Sequence, residues 1–237
     1  MTLGLILNTR ATFYQERFHL VFGDLPWAIF DCPVTLPEPM AMHIPPSSRF
    51  DALIFTSQVA VYTFAPPPDW LSKKVFAVGQ GTAEAASAIG FTDVTQTGLT
   101  VEDMRKQLTT VDFYSALYPS ADEISYDLPA AFPGRIHREV IYKMTPRADL
   151  PQQLIGPALQ GTPIVAPLFS RRGADILADL LTKAGINAEN AKIAGIGFTA
   201  KVFAGEGGPW HKRFIAREPI LSSLVERTGQ AIESFGA

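Results

Sequence analysis

Short apolar runs separated by polar loops set the pattern of this chain. Leu3 to Leu7 is the first run and predicts a strand. Thr12 to Phe22 follows with Phe13, Arg17 and Leu20 at helical spacing, so a helix capped by Thr12 is expected. Trp27 to Phe30 predicts a second strand. Next come Pro33, Pro37, Pro39, Pro45 and Pro46, which exclude a helix and disfavour a central strand. That stretch reads as a crossing between domains.

Asp51 to Thr56 predicts a buried strand, and Lys74 to Val78 the next. Thr82 to Ile89 carries Ala83, Ala86 and Ile89 at helical spacing, and Gly90 stops it. Val94 starts a strand, Val101 to Leu108 predicts a helix, and Phe113 to Tyr118 and Ile136 to Tyr142 predict strands. Beyond Pro163, strands are expected at Ile164 to Phe169 and Ile193 to Ile196, with a helix over Ala174 to Lys183 ended by Gly185. Thr199 to Ala204 is expected to be helical and Phe214 to Ala216 extended. Pro219 is expected to open a last helix burying Leu221, Leu224, Val225, Thr228 and Ile232.

Strands alternating with helices predict an α/β fold with parallel sheets covered on both faces. The N-terminal unit has two strands and cannot cover itself, while the block from Pro163 has three and needs neighbours. Residues 1–34 are therefore expected to join residues 150–237 in one discontinuous domain. Residues 38–142 would form an inserted domain, with crossings at 33–38 and 143–150. Two contiguous domains are the alternative. A weak internal repeat also suggests two similar domains. Leu53-Ile54-Phe55-Thr56-Ser57 followed by Val78-Gly79-Gln80-Gly81-Thr82-Ala83 parallels Ala166-Pro167-Leu168-Phe169-Ser170 followed by Ile196-Gly197-Phe198-Thr199-Ala200. In each copy Thr-Ala is expected to open a helix.

The 237 residues are 47% hydrophobic and 18% charged, enough apolar material for real cores. A net charge of -3 and no dense Lys/Arg run argue against a nucleic-acid or anionic-membrane partner. Cys32 is the single cysteine, which excludes an internal disulfide and a four-cysteine zinc site. His19, His43, His137 and His211 form no metal-binding spacing, so no metal is expected. Met1 to Arg10 lacks the layout of a secretion signal, and no apolar run has membrane-spanning length, so a cytoplasmic protein is expected.

Ligands of open α/β sheets sit beyond the carboxyl ends of the strands. That rule selects Thr9, Arg10, Ser57, Gly79, Thr82, Ser170, Arg171, Arg172, Gly197 and Thr199. Small residues let backbone N–H groups approach a ligand, and hydroxyls and helix N-termini favour carboxylate or phosphate oxygens. Each has a plainer reading. The serines and threonines serve equally as helix caps, the glycines as turn residues, and Arg171-Arg172 as a solvated pair. Tyr142 reads as core or interface packing. Gly79 to Gly81 lacks the third glycine of a dinucleotide fingerprint, and no nucleophile elbow exists. The residues alone lead to a two-domain protein with a polar cleft for an anionic organic ligand.

The ordered set LIFTS, VFAVGQGTAEAASAIGF, HREVIYKM, APLFSRRGADIL, IAGIGFTAKVFA and IAREPILSSLV resembles the uroporphyrinogen-III synthase family over nearly the whole chain. Thr9-Arg10 looks like that family's opening. The resemblance implies two similar flavodoxin-like or Rossmann-like parallel-sheet domains joined by a two-stranded linker. It implies a monomer that cyclises hydroxymethylbilane, a linear tetrapyrrole with eight carboxylates, to uroporphyrinogen III without metal or organic cofactor. Tyr142 then matches the tyrosine thought to assist departure of the terminal hydroxyl. Thr82 and Thr199 match hydroxyls facing the cleft, and Ser57 and Ser170 would hold acetate and propionate arms. The rivals are a non-catalytic or diverged tetrapyrrole-binding paralogue and a flavodoxin-like or receiver-type pair acting through protein contacts. The last lacks an acidic phosphoacceptor pocket, since Asn8 and Thr9 stand at the first strand end.

Overall fold

A computed structural model describes residues 4–203 and 208–236. Leu3 and Ala204, at the ends of two predicted elements, lie outside the described residues. Strand β1 (Leu5–Asn8) leads through a 3-10 turn at Thr12–Tyr14 into helix α1 (Gln15–Phe22). Thr12 does not cap it. Tyr14 holds the cap position of α1 and offers no side-chain bond, because capping needs a short side-chain oxygen directly before the helix. Then follow β2 (Ala28–Asp31) and β3 (Thr35–Pro39). The proline-rich crossing thus includes a strand, but one at a sheet edge, where a missing N–H is tolerated.

The middle of the chain alternates regularly. It runs β4 (Ala52–Phe55), α2 (Gln58–Phe64), β5 (Lys74–Ala77), α3 (Gln80–Ala88), β6 (Asp93–Gln96) and α4 (Val101–Leu108). It closes with β7 (Ala116–Ala121), the short α5 (Leu128–Ala131) and β8 (Ile136–Pro146). β7 starts later than expected, because the Phe113 carbonyl accepts from the Arg135 guanidinium at 2.6 Å instead of a neighbouring strand. Beyond lie α6 (Gln152–Leu159), β9 (Ile164–Leu168), α7 (Arg171–Lys183), β10 (Ile193–Gly197), β11 (Lys212–Ile215) and α8 (Leu221–Glu233). Sequence patterning misses α6, whose Gly156 and Pro157 mask it. Pro219 sits two residues before α8, capped by Ile220, rather than opening the helix. The predicted buried face of α8 is real: Leu224, Thr228 and Ile232 are buried, and Leu221 and Val225 pack beside them.

The chain divides into two compact units, Met1–Leu36 with Thr145–Ala237, and Pro37–Met144. The first holds a five-stranded sheet in the order β11-β10-β9-β1-β2, with every registered pair parallel. Successive residues of its strands enter opposite cores. Ile6 and Val165 join Phe18, Phe22 and Leu224, whereas Leu7 and Ala166 join Leu177, Leu181 and Ile186. That is the signature of a sheet covered on both faces. The second unit carries the order β3-β8-β7-β4-β5-β6, with β4 to β8 parallel. β3 runs against β8: Met40 N–H donates to the Ile141 carbonyl and Arg147 N–H to that of Val34. Counted from β9 in one unit and β4 in the other, the five parallel strands take the same spatial order. The repeated motifs occupy matching strands, β4 with β9 and β5 with β10.

One local device shows how sequence sets a helix start. Thr100 accepts from the Asp103 N–H at 3.1 Å, and the Asp103 carboxylate accepts from the Thr100 N–H at 3.1 Å, a reciprocal capping box. Replacing Thr100 by Ala should lower stability by about 1 kcal/mol, read as a denaturant midpoint shift. Hydrogen bonds from Thr100 and Leu99 hold the Asp103 carboxyl below the ordinary 3.8. A depressed folded-state pKa means this contribution is complete above that value. It fades as pH falls through the folded-state pKa. The gap between Thr100→Ala and the parent should therefore narrow in strongly acidic solution without closing, because the bond from the Asp103 N–H to the Thr100 hydroxyl does not titrate.

Candidate active site

Each sheet has one place where strand order reverses. In the first unit it lies between β1 and β9, and in the second between β4 and β7. Helices leave on opposite faces there, so the strands part and a crevice opens at their carboxyl ends. The registers record the parting. β1 pairs with β9 only at Leu5↔Ile164 and Ile6↔Val165, and β4 with β7 only at Ala52↔Ala116 and Leu53↔Leu117.

At the first crevice β1 ends in Asn8, which is fully buried. Its amide donates to Asp31 at 2.7 Å and its carbonyl accepts the Arg10 N–H at 3.1 Å. Asp31 also meets His19 at 2.9 Å. This network fixes the turn that launches Arg10. The Arg10 guanidinium lies between two rings, 4.4 Å from the Tyr14 centroid and 4.5 Å from that of Phe169. Phe169 in turn meets Phe198 edge-on at 5.7 Å. Arg10 thus spans the gap from β1 to β9 and packs beside β10. No carboxylate among the described residues pairs with it. Burial pulls its pKa down, Tyr14 opposes that, and Arg17 adds to it. A half-buried guanidinium without a counter-ion, its faces occupied and its edge donors uncommitted, suits a carboxylate ligand.

The neighbours of Arg10 are mixed in what they offer. Thr9 is buried and its carbonyl accepts the Val34 N–H, so it serves the chain first. Ser170 is exposed and caps α7 by accepting from the Gly173 N–H at 3.1 Å. Arg171 is exposed and meets Asp175 at 3.3 Å, one helical turn on, which is the solvated arrangement. Gly197 ends β10, where a Cβ would come within 3.1 Å of the Thr199 carbonyl oxygen and of Val202. Thr199 is exposed and begins only a three-residue 3-10 turn, Ala200–Val202, rather than the expected helix. The repeat therefore breaks after its Thr. Phe203 closes the turn by folding onto Gly195, where a side chain would clash at 2.7 Å.

At the second crevice Ser57 caps α2, accepting from the Val59 N–H at 3.0 Å. Gly79 caps α3 with φ of 73°, a conformation suited to glycine, and a Cβ there would meet nothing within 4 Å. Its surroundings are open, as close approach of a ligand to backbone requires. Thr82 is buried in the first turn of α3, so Gly79 and not Thr82 opens that helix. The Thr56 hydroxyl and the Tyr118 phenol lie 3.2 Å apart across the parted strands. Burial raises the Tyr118 pKa, while Thr56 and Arg138 pull it down. Tyr142 is buried on β8, in register with Ala121 at the carboxyl end of β7.

Sequence reasoning passed over Asn8, Asp31, Phe169, Tyr118 and Arg138. Phe169 and Phe198 stand directly before Ser170 and Thr199 in the second copy of the repeat, which was the one available signal. Among the described residues no group of three or more His, Cys, Asp or Glu could hold a metal ion. No helix there is long and apolar enough to cross a membrane.

Comparison with known proteins follows the same line. Residues 29–226 match the family model described as uroporphyrinogen-III synthase HemD. No curated protein sequence matches the chain significantly. A crystal structure of uroporphyrinogen-III synthetase from Helicobacter pylori is similar, with a TM-score of 0.62 and 16% identity over 98% of this chain and 99% of that one. A mutant uroporphyrinogen III synthase from Thermus thermophilus aligns over 98% and 99% at 14% identity, with a TM-score of 0.46. The Helicobacter pylori structure supports the shared fold, and the family model, spanning well over half of the sequence, makes this chain a member of the uroporphyrinogen-III synthase family.

Proposed function

We propose that the protein cyclises hydroxymethylbilane to uroporphyrinogen III, as a cytoplasmic monomer needing no metal or organic cofactor. The Arg10 guanidinium at the β1/β9 crevice, uncommitted among the described residues, carries the proposal beyond family membership, because the substrate bears eight carboxylates. The terminal hydroxyl leaves as water once protonated, and pyrrole nitrogen supplies the electron pair that forms the azafulvene. The far pyrrole attacks through its substituted carbon to give a spiro centre. Cleavage and re-closure then invert that ring, and loss of a proton restores aromaticity.

The chain's own residues bind and position. Arg10 takes one carboxylate arm in a bidentate grip. Ser57, Ser170, Arg171 and Thr199, with the N–H groups beside Thr9, Gly79 and Gly197, hold other arms at the strand ends. Thr82 supports the first turn of α3. Holding both ends of the bilane together is worth more here than acid–base power. Tyr142 donates to the departing hydroxyl.

Tyr142→Phe should slow turnover about tenfold, the loss of roughly one hydrogen bond in the transition state, without abolishing it. Steady-state rates with enzymatically generated hydroxymethylbilane measure this, and an undiminished rate removes the assigned role. Separation of the oxidised products by isomer tests the activity itself. Type III product supports the cyclase. Type I alone would leave a tetrapyrrole-binding paralogue.

A further inference from the structure

β7 and β8 do not pair uniformly. The register runs from Ala116↔Ile136 to Ser120↔Val140 and then jumps to Ala121↔Tyr142. The jump is a bulge that leaves Ile141 without an opposite residue, and both Ile141 and Tyr142 are buried beyond it. A bulge strands polar backbone groups, which must find other partners. Here they find Arg138. Its Nε donates to the Ser120 hydroxyl at 2.8 Å, and one terminal nitrogen donates to the Ala121 carbonyl at 2.7 Å and the Asp122 carbonyl at 2.6 Å. The same short segment reaches Tyr142 directly, since the Asp122 N–H donates to the Tyr142 carbonyl at 2.9 Å.

We infer that Arg138 is the positioning residue of Tyr142: it clamps the bulge between β7 and β8 and so sets where the phenol stands for the cyclisation. This rests on the role proposed for Tyr142. A guanidinium is the one side chain whose planar fork reaches a hydroxyl and two carbonyls together. Lysine carries the charge on a single nitrogen and cannot reproduce that spread. Neutral side chains of similar length leave the Asp122 carbonyl to water and the Ala121 carbonyl to the Ser120 hydroxyl at 3.0 Å alone, and the bulge then relaxes. The clamp does not touch substrate, so its loss acts on turnover and leaves the carboxylate grips intact.

The test uses the full chain with enzymatically generated hydroxymethylbilane. Arg138→Met, Arg138→Lys, Tyr142→Phe and the Arg138→Met/Tyr142→Phe double variant are compared well below their melting temperatures. Arg138→Met is expected to lower kcat about tenfold with KM changed less than about twofold, and Arg138→Lys to fall between it and the parent. The double variant should be no slower than Tyr142→Phe alone, since the clamp acts through that phenol. Ser120→Ala, which removes one of the three acceptors, supplies a milder variant if Arg138→Met does not fold. It should reduce kcat in the same sense. A normal kcat in Arg138→Met, a loss in KM instead, or losses that multiply in the double variant would overturn the positioning role. A normal rate in Tyr142→Phe would overturn the role of Tyr142 itself, whereas a slow Tyr142→Phe beside a normal Arg138→Met sinks only the clamp.

Discussion

Arg10→Met should raise KM for hydroxymethylbilane by roughly 10- to 100-fold, the range of a lost charge-assisted hydrogen bond of about 1.5–3 kcal/mol. The stacked geometry makes the variant informative. Methionine is flexible and apolar and can still lie against Tyr14 and Phe169, so the packing around the β1/β9 crevice survives. The guanidinium makes no protein ion pair among the described residues, and its partial burial is a cost to the folded state. Thermal stability should therefore hold or rise while binding fails. Arg10→Lys should recover only part of the affinity, because an ammonium cannot both stack between two rings and present a planar pair of donors. Raised salt should weaken the parent more than Arg10→Met. A KM at the parental value in Arg10→Met, with the fold intact by circular dichroism, would remove carboxylate capture from this site.

Trp70→Ala should destabilise the unit around β4 by about 3–5 kcal/mol, the usual result of emptying a large aromatic site. Trp70 is 1% exposed and lies at the end of a 3-10 turn, Pro68–Trp70, that begins on the last of three consecutive prolines. Its ring is 5.5 Å from Phe64, nearly perpendicular, and 5.6 Å from Phe50. Phe64 continues the cluster to Phe55 of β4 at 6.0 Å. The tryptophan thus ties the α2–β5 link to the strand that ends at Ser57. Such a loss corresponds to a melting temperature lower by roughly 10 °C for a chain of this size. Trp70→Phe should lose much less, because most of the ring contact remains. An unchanged melting temperature in Trp70→Ala would show that the cluster contributes little.

Much of this architecture was legible without coordinates. Buried parallel strands read as continuous apolar runs, so Asp51 to Thr56 and Ile164 to Phe169 announced β4 and β9 directly. Helical periodicity located α4 and the buried face of α8 for the same physical reason: one stripe must face a core. Local chemistry was less reliable at element ends. Thr12, Thr199 and Pro219 each carry the composition of a helix start, yet the helices begin elsewhere or not at all. There the tertiary contacts of Phe203 and the local geometry at Tyr14 outweigh propensity.

The amino-acid order alone determined the α/β class, the family, and the placement of the candidate residues Thr9, Ser57, Gly79, Ser170 and Gly197 at or just beyond strand ends. Those properties depend on periodicities of two and 3.6 residues and on motifs contiguous in the chain. Only the folded chain decided that Arg10 lies between Tyr14 and Phe169 with no acid among the described residues to answer it, and that Arg138 closes a bulge beside Tyr142. Such facts join residues more than a hundred positions apart, or turn on a one-residue slip in register, and neither leaves a mark on any local pattern.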